Sequence, residues 1–85
     1  MPYIKKEDRH RLAPLVSSMS NNEIKSAGEL NYLLTQLCLS YLGSPNYEKL
    51  NAIVGALDCC KEELRRRVIN PYEDRKIKEN GDVYQ

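Results

Sequence analysis

Apolar residues recur through the middle of the chain at helical spacing. Leu30, Leu33, Leu34, Leu37, Cys38, Tyr41 and Leu42 stand at offsets of 3, 4, 7, 8, 11 and 12 from the first, which is one stripe of an α-helix. Ahead of them Ser26-Ala27-Gly28-Glu29 has the Ser-x-x-Glu form of a capping box, and Gly43 follows as a left-handed stop. The pattern predicts a helix over about 27–42. A second stripe, Leu50, Ile53, Val54, Leu57, Cys60 or Lys61, Leu64 and Val68, predicts another over about 46–69. Ser44-Pro45 would restart the chain there, serine as cap and proline in the first turn. Two long helices joined by so short a turn must fold back antiparallel.

The flanks are less regular. Asn70-Pro71 predicts a break, because proline cannot donate to the preceding turn. Glu73, three places after Asn70, would complete a cap for a short polar helix over about 71–79 ending at Asn80-Gly81. The tail 82–85 would be frayed or docked on a neighbour. Near the N-terminus Lys5 to Leu12 suits two helical turns, and Pro14 can start a further helix carrying Leu15, Val16 and Met19. The polar run from Ser17 to Asn22 argues against one long helix there. Gly55 either costs about 1 kcal/mol inside its helix or lets another backbone come close. No repeat and no strand is evident. The expected fold is a single all-α domain, 1–85, built on an antiparallel helical hairpin with a short C-terminal helix and an irregular or helical N-terminal segment.

Length sharpens this picture. A chain of 85 residues buries only about 60–65% of its unfolded surface, so its own core is thin. Such chains gain stability from disulfides, metals or self-association. Three cysteines, Cys38, Cys59 and Cys60, do not read as a disulfide framework, and the adjacent pair points about 100° apart on a helix, unsuited to one zinc. Self-association is left, and a net charge of +1 removes a barrier to it. The same balance disfavours general nucleic-acid binding. No apolar run is long enough for a signal peptide or a bilayer span, so a cytoplasmic location is expected.

Enzyme signatures are absent: there is no phosphate loop, no His-Glu-x-x-His and no Gly-x-Ser-x-Gly, and His10 is the one histidine. The reading is a non-enzyme without cofactor or metal. Glu62 with Arg66 and Glu63 with Arg67 have the spacing of stabilising helical ion pairs, worth about 0.2–0.5 kcal/mol each. Arg65-Arg66-Arg67 has two readings. Near a helix C-terminus the macrodipole favours arginine. Alternatively the guanidinium groups grip a phosphate or carboxylate, with a second subunit completing the pocket, since three consecutive side chains fan over about 200° of an α-helix. Tyr3, Tyr32, Tyr47, Tyr72 and Tyr84 are candidate contact residues, and Tyr41 reads as core. Asn31 and Asn51, at the edges of the stripes, would fix helix register or hold a ligand.

With these residues laid out, the chain resembles a family of short bacterial, archaeal and phage proteins of unknown function. The resemblance rests on Met-Pro-Tyr-Ile-Lys-Lys-Glu-Asp-Arg at 1–9, Gly-Glu-Leu-Asn-Tyr at 28–32, Leu-Asn at 50–51, Gly-Ala-Leu at 55–57 and Arg-Arg-Val at 66–68. Most specific is Pro-Tyr-Glu-Asp-Arg-Lys-Ile-Lys-Glu-Asn-Gly-Asp-Val-Tyr at 71–84. The chain departs at Leu64-Arg65, where the family pattern has two aromatic residues. The resemblance implies a phage or mobile-element setting, hence the host cytoplasm, and no specific activity. The expected function is a homo-oligomeric binding protein that sequesters an anionic small ligand such as a signalling nucleotide. Arg66 and Arg67 would grip phosphate, Tyr72 or Tyr32 would stack, Asn31 would orient, and Asp74 would lie nearby. A module that blocks or adapts a host protein is the alternative, and nucleic-acid binding a weaker one.

Overall fold

The computed structural model describes residues 3–84. Met1 and Pro2 of the N-terminal block and Gln85 of the tail lie outside the described residues. The described chain is all-α, with α1 at Lys6–Ser20, α2 at Ala27–Leu42, α3 at Tyr47–Leu64, a π turn at Arg65–Ile69 and α4 at Asn70–Asn80.

The caps show why α2 and α3 start and stop where they do. Ser26 Oγ accepts the Glu29 N–H at 3.1 Å, while the Glu29 carboxylate accepts the N–H of Lys25 at 2.8 Å rather than that of Ser26. The box is therefore stretched by one residue, and it still satisfies two amides that the helix leaves without partners. Gly43 ends α2 at φ 58°, its N–H donating to the Leu39 carbonyl at 3.1 Å. A side chain there would be strained. The second cap falls two residues later than the sequence suggests. Asn46, not Ser44, is the N-cap of α3, its Oδ1 accepting the Lys49 N–H at 2.9 Å, and Pro45 stays in the turn.

Two expected interruptions do not occur. In α1, Pro14 lies inside one continuous helix of 15 residues. Ser18 Oγ donates to the Pro14 carbonyl at 3.0 Å and Ser20 Oγ to the Ser17 carbonyl at 2.8 Å. The hydroxyls that argued against a helix thus bond back onto its last turns. At Asn70-Pro71 the chain also stays helical, with Ile69 and Asn70 both in the right-handed region. The Asn70 N–H donates to the Arg65 carbonyl, five residues back. Proline lacks an N–H and its ring collides with the carbonyl four residues earlier. Widening the preceding turn to the π form moves that carbonyl away, so α3 and α4 join into one rod. Neither Asn70 nor Ile69 makes a side-chain cap, so the expected Asn70–Glu73 capping pair is not formed.

Helices α2 and α3 face one another across the turn at 43–46. Lys49 Nζ reaches back to the Tyr41 carbonyl at 3.3 Å, and Ile53 and Leu57 share grooves with residues 31–41. The two helices therefore meet beside the turn and share grooves. Beyond this, little is packed. Leu42 is the one buried hydrophobic residue among the described residues, and Leu30, Leu33, Leu34, Leu37, Leu50 and Leu57 remain 38–59% exposed. Tyr41, expected in the core, is 55% exposed and lies under the Lys49 ammonium, 5.5 Å from the ring centroid. Gly55 has open space where a Cβ would stand, so no other part of the chain uses it for a close approach. The radius of gyration is 16.8 Å. A compact chain of this length would have about 12 Å.

Candidate functional site

The arginines do not sit at a helix end. Because α3 continues through the π turn into α4, Arg65, Arg66 and Arg67 lie in mid-rod, and the C-terminus is at Asn80. The macrodipole acts only over the last turn, so it does not account for them. A π turn also spaces successive side chains by less than the ~100° of an α-helix, which narrows their fan. Insertions of this kind recur at functional sites.

Arg66 and Arg67 converge on a cluster that joins the N-terminal segment to the middle of the rod. Tyr3 Oη donates to Glu63 Oε2 at 3.0 Å, and Arg67 Nη1 donates to Tyr3 Oη at 3.4 Å. Arg66 Nη2 stands 3.8 Å from the same Glu63 oxygen. Glu63 is the most covered member of any ion pair, its side chain 24% exposed against 66% for Arg66. These pairs differ from the expected ones. Arg66 pairs three residues back with Glu63, Arg67 turns to Tyr3, and Glu62 stands 4.0 Å from Lys61. The cluster holds one carboxylate against two guanidinium groups, which keep unused donors toward solvent. Such a patch can receive a phosphate or carboxylate through paired charge-assisted hydrogen bonds.

The other predicted residues lie apart from it. Tyr72, 52% exposed on α4, is flanked by Arg75 at 5.8 Å and Lys76 at 5.6 Å from its ring centroid. Both cations are drawn to the negative face of the ring. Asp74 is exposed on α4 and makes no ion pair among the described residues. Asn31 lines an apolar groove with Leu34, Cys38, Ile53 and Leu57, and its own carbonyl accepts the Thr35 hydroxyl at 2.8 Å. Neither Asn31 nor Asn51 bridges the two helices through its side chain among the described hydrogen bonds, so the register role expected of them is not realised. Tyr32 is 63% exposed. No hydrogen bond, ion pair or groove joins Arg66 and Arg67 to Tyr72, Asp74, Asn31 or Tyr32 within one chain, among the described residues.

Sequence reasoning named Tyr3 as a candidate contact residue but did not connect it with Glu63 and the arginines. It lies 60 residues from Glu63, and no spacing rule links them. Its signs were the interface preference of tyrosine and its place in the N-terminal block of the resemblance. Among the described residues no three His, Cys, Asp or Glu side chains gather as a metal site, all three cysteines are free thiols, and no helix is long and apolar enough to cross a membrane.

No curated protein and no solved structure matches the chain. A family model does match, over residues 1–83, and its description is a domain of unknown function. By that match the chain belongs to the DUF6899 family.

Proposed function

We propose that this is a non-enzymatic binding protein of a phage or mobile-element setting that works as a homo-oligomer in the host cytoplasm. Its subunits together sequester an anionic small ligand such as a signalling nucleotide. One observation carries the oligomer. The chain exposes 7877 Å² at a mass of 9.8 kDa. A compact monomer of that mass exposes about 5200 Å², an excess of about 2700 Å². Obligate homodimer interfaces bury about 2000–5000 Å² in total, so the excess is ample for one.

The anionic ligand follows from the charged patch. Arg66 and Arg67 carry spare donors that no helix end accounts for, and Tyr72 adds an exposed ring with two cations beside it. Asn31 and Tyr32 belong to a different face, so they reach the same ligand only from another subunit. Calorimetric titration with a panel of mono-, di- and cyclic nucleotides tests this on wild type and Arg66→Ala. Losing a charge-assisted pair should weaken binding by about 10–100-fold. Equal or absent binding in both proteins would remove the ligand from the reading.

The groove between α2 and α3 favours a second reading, a module that docks on a host protein. Leu37, Tyr41, Ala52 and Leu57 line it, and nothing among the described residues fills it. Capture of one host partner that nucleotides do not displace, by a protein that is monomeric alone, would favour that reading over the first.

A further inference from the structure

Helix α1 has an apolar stripe and no seat. Leu12, Leu15, Val16 and Met19 recur at helical spacing, and Leu15, Val16 and Met19 are 56–63% exposed. No Cα of α1 comes within 8 Å of one in α2, α3 or α4. The one side-chain tie between this end of the chain and the rest is Tyr3, three residues before α1, on Glu63 and Arg67. The α2–α3 pair meanwhile has a groove with no filler among the described residues, lined by Leu37, Cys38, Tyr41, Ile53 and Leu57.

The connections keep the two apart within one chain. In the antiparallel pair that the short turn leads one to expect, the start of α2 and the end of α3 lie at the same end. Both ends of α1 are tied there, one through Tyr3 to Glu63 and the other through residues 21–26 to Ala27. Helix α1 is about 22 Å long at 15 residues. To lie along its own groove with Tyr3 in place, it would carry Ser20 far down the hairpin. The six-residue link would then have to return almost fully extended over about 20 Å. Instead it begins with Asn21 still in the right-handed region, its N–H donating to the Ser18 carbonyl at 3.3 Å, followed by bends.

We infer that the occupant of the groove is α1 of a second copy of this chain, exchanged reciprocally so that each α1 covers the other's α2–α3 pair. The inference rests on the homo-oligomer proposed above and specifies its contact. The stripe from Leu12 to Met19 spans about 10 Å, and the two adjoining grooves together run from Asn31 to Tyr41, about 15 Å, so the stripe fits within them. A reciprocal exchange is self-complementary and closes on itself, so it buries both apolar faces without leaving a free end to propagate. It also gives a use to surface that the single chain leaves wet, in the amount an obligate interface requires.

The native thiol of Cys38 in the groove provides the test. In a full-length chain carrying Cys59→Ser and Cys60→Ser, the variants Leu15→Cys and Met19→Cys place a thiol on the stripe. Ser17→Cys places one on the opposite face of α1. Under mild oxidation the first two should give a covalent species of twice the 9.8 kDa chain mass, mapped by peptide mass to Cys38, and Ser17→Cys should not. A Cys38 bond formed within one chain overturns the exchange, because α1 then fills its own groove. Wild type that is oligomeric by light scattering, with no bond from either stripe position, overturns the exchange and leaves the oligomer standing. Wild type that stays monomeric at high concentration takes away both.

Discussion

Along α2 and α3 the leucines Leu33, Leu34, Leu37, Leu50 and Leu57 remain 38–59% exposed, whereas at the π turn Glu63 is drawn down to 24% side-chain exposure and holds Tyr3 and Arg66. The apolar region, which burial should stabilise most, is the unfinished one. The charged region, where exposed contacts are each worth about 1 kcal/mol or less, is tied together within the chain and still leaves arginine donors free. A monomer selected to stand alone would show the reverse. On the function proposed above, the difference would put assembly energy in the hairpin and recognition at the turn.

The strongest way to break that division is to place a charge in the groove. Ile53 lines both sides of it and is only half-buried in the single chain. Ile53→Asp should therefore leave the helix content of a lone chain almost unchanged by circular dichroism. Once a second chain covers the position, an unpaired carboxylate is buried, at a cost of about 4 kcal/mol or more, which lowers association roughly a thousand-fold. Analytical ultracentrifugation should show the 9.8 kDa species where wild type shows a larger one. Unchanged mass would mean that the groove is not the interface.

A smaller effect separates the turn from the hairpin. Pro71→Ala restores an N–H to the rod and removes the ring that forces the π form. Stability should rise by about 1–3 kcal/mol, less than the full cost of an interior proline because the π turn already relieves part of it. That is an increase in melting temperature of about 4–24 °C, at about 4–8 °C per kcal/mol for a domain of this size. Returning residues 65–69 to α geometry also re-aims Arg66 and Arg67. If the turn serves recognition, nucleotide affinity should fall as stability rises. A gain in both would make the π turn a mere accommodation of proline.

How much of this was legible in the sequence depends on the range of the interaction. Helix α2 was fully readable, because its stripe, its Ser26 cap and its Gly43 stop are local signals. Helix α3 was readable in its stripe and misread at both ends. Asn46 outcompeted Ser44 as cap, since an Asn amide oxygen two residues on meets the Lys49 N–H directly. At the far end the rule that proline breaks a helix failed, because the π turn gives the chain a second way to relieve the clash. That choice turns on the energies of two helical forms, which composition does not encode. The same failure moved Arg65–Arg67 from a helix end to mid-rod, removing the macrodipole reading. At the site, the arginines were visible as a run, while the tie of Tyr3 to Glu63 was not, because a contact across 60 residues leaves no periodic trace. Tyr41 was misplaced for another reason: a stripe identifies the face that wants cover, and a single chain need not supply it.

The smallest predicted effect bears on that long-range contact. Tyr3→Phe keeps the ring, 54% exposed, and deletes the hydroxyl that donates to Glu63 and accepts from Arg67. Both bonds are exposed, so water replaces them readily, and the loss in global stability should be at most about 1 kcal/mol. The local consequence is larger than the global one. Without the clasp, α1 is held to the hairpin of its own chain by residues 21–26 alone. Amide exchange should then quicken across α1 relative to α2 and α3 in a chain kept monomeric by Ile53→Asp. In the assembled wild-type background the same substitution should leave α1 protected, because its apolar stripe is then held by the neighbour rather than by the tyrosine. Equal loosening of α1 in both backgrounds would show that the clasp, and not a second chain, is what keeps α1 in place.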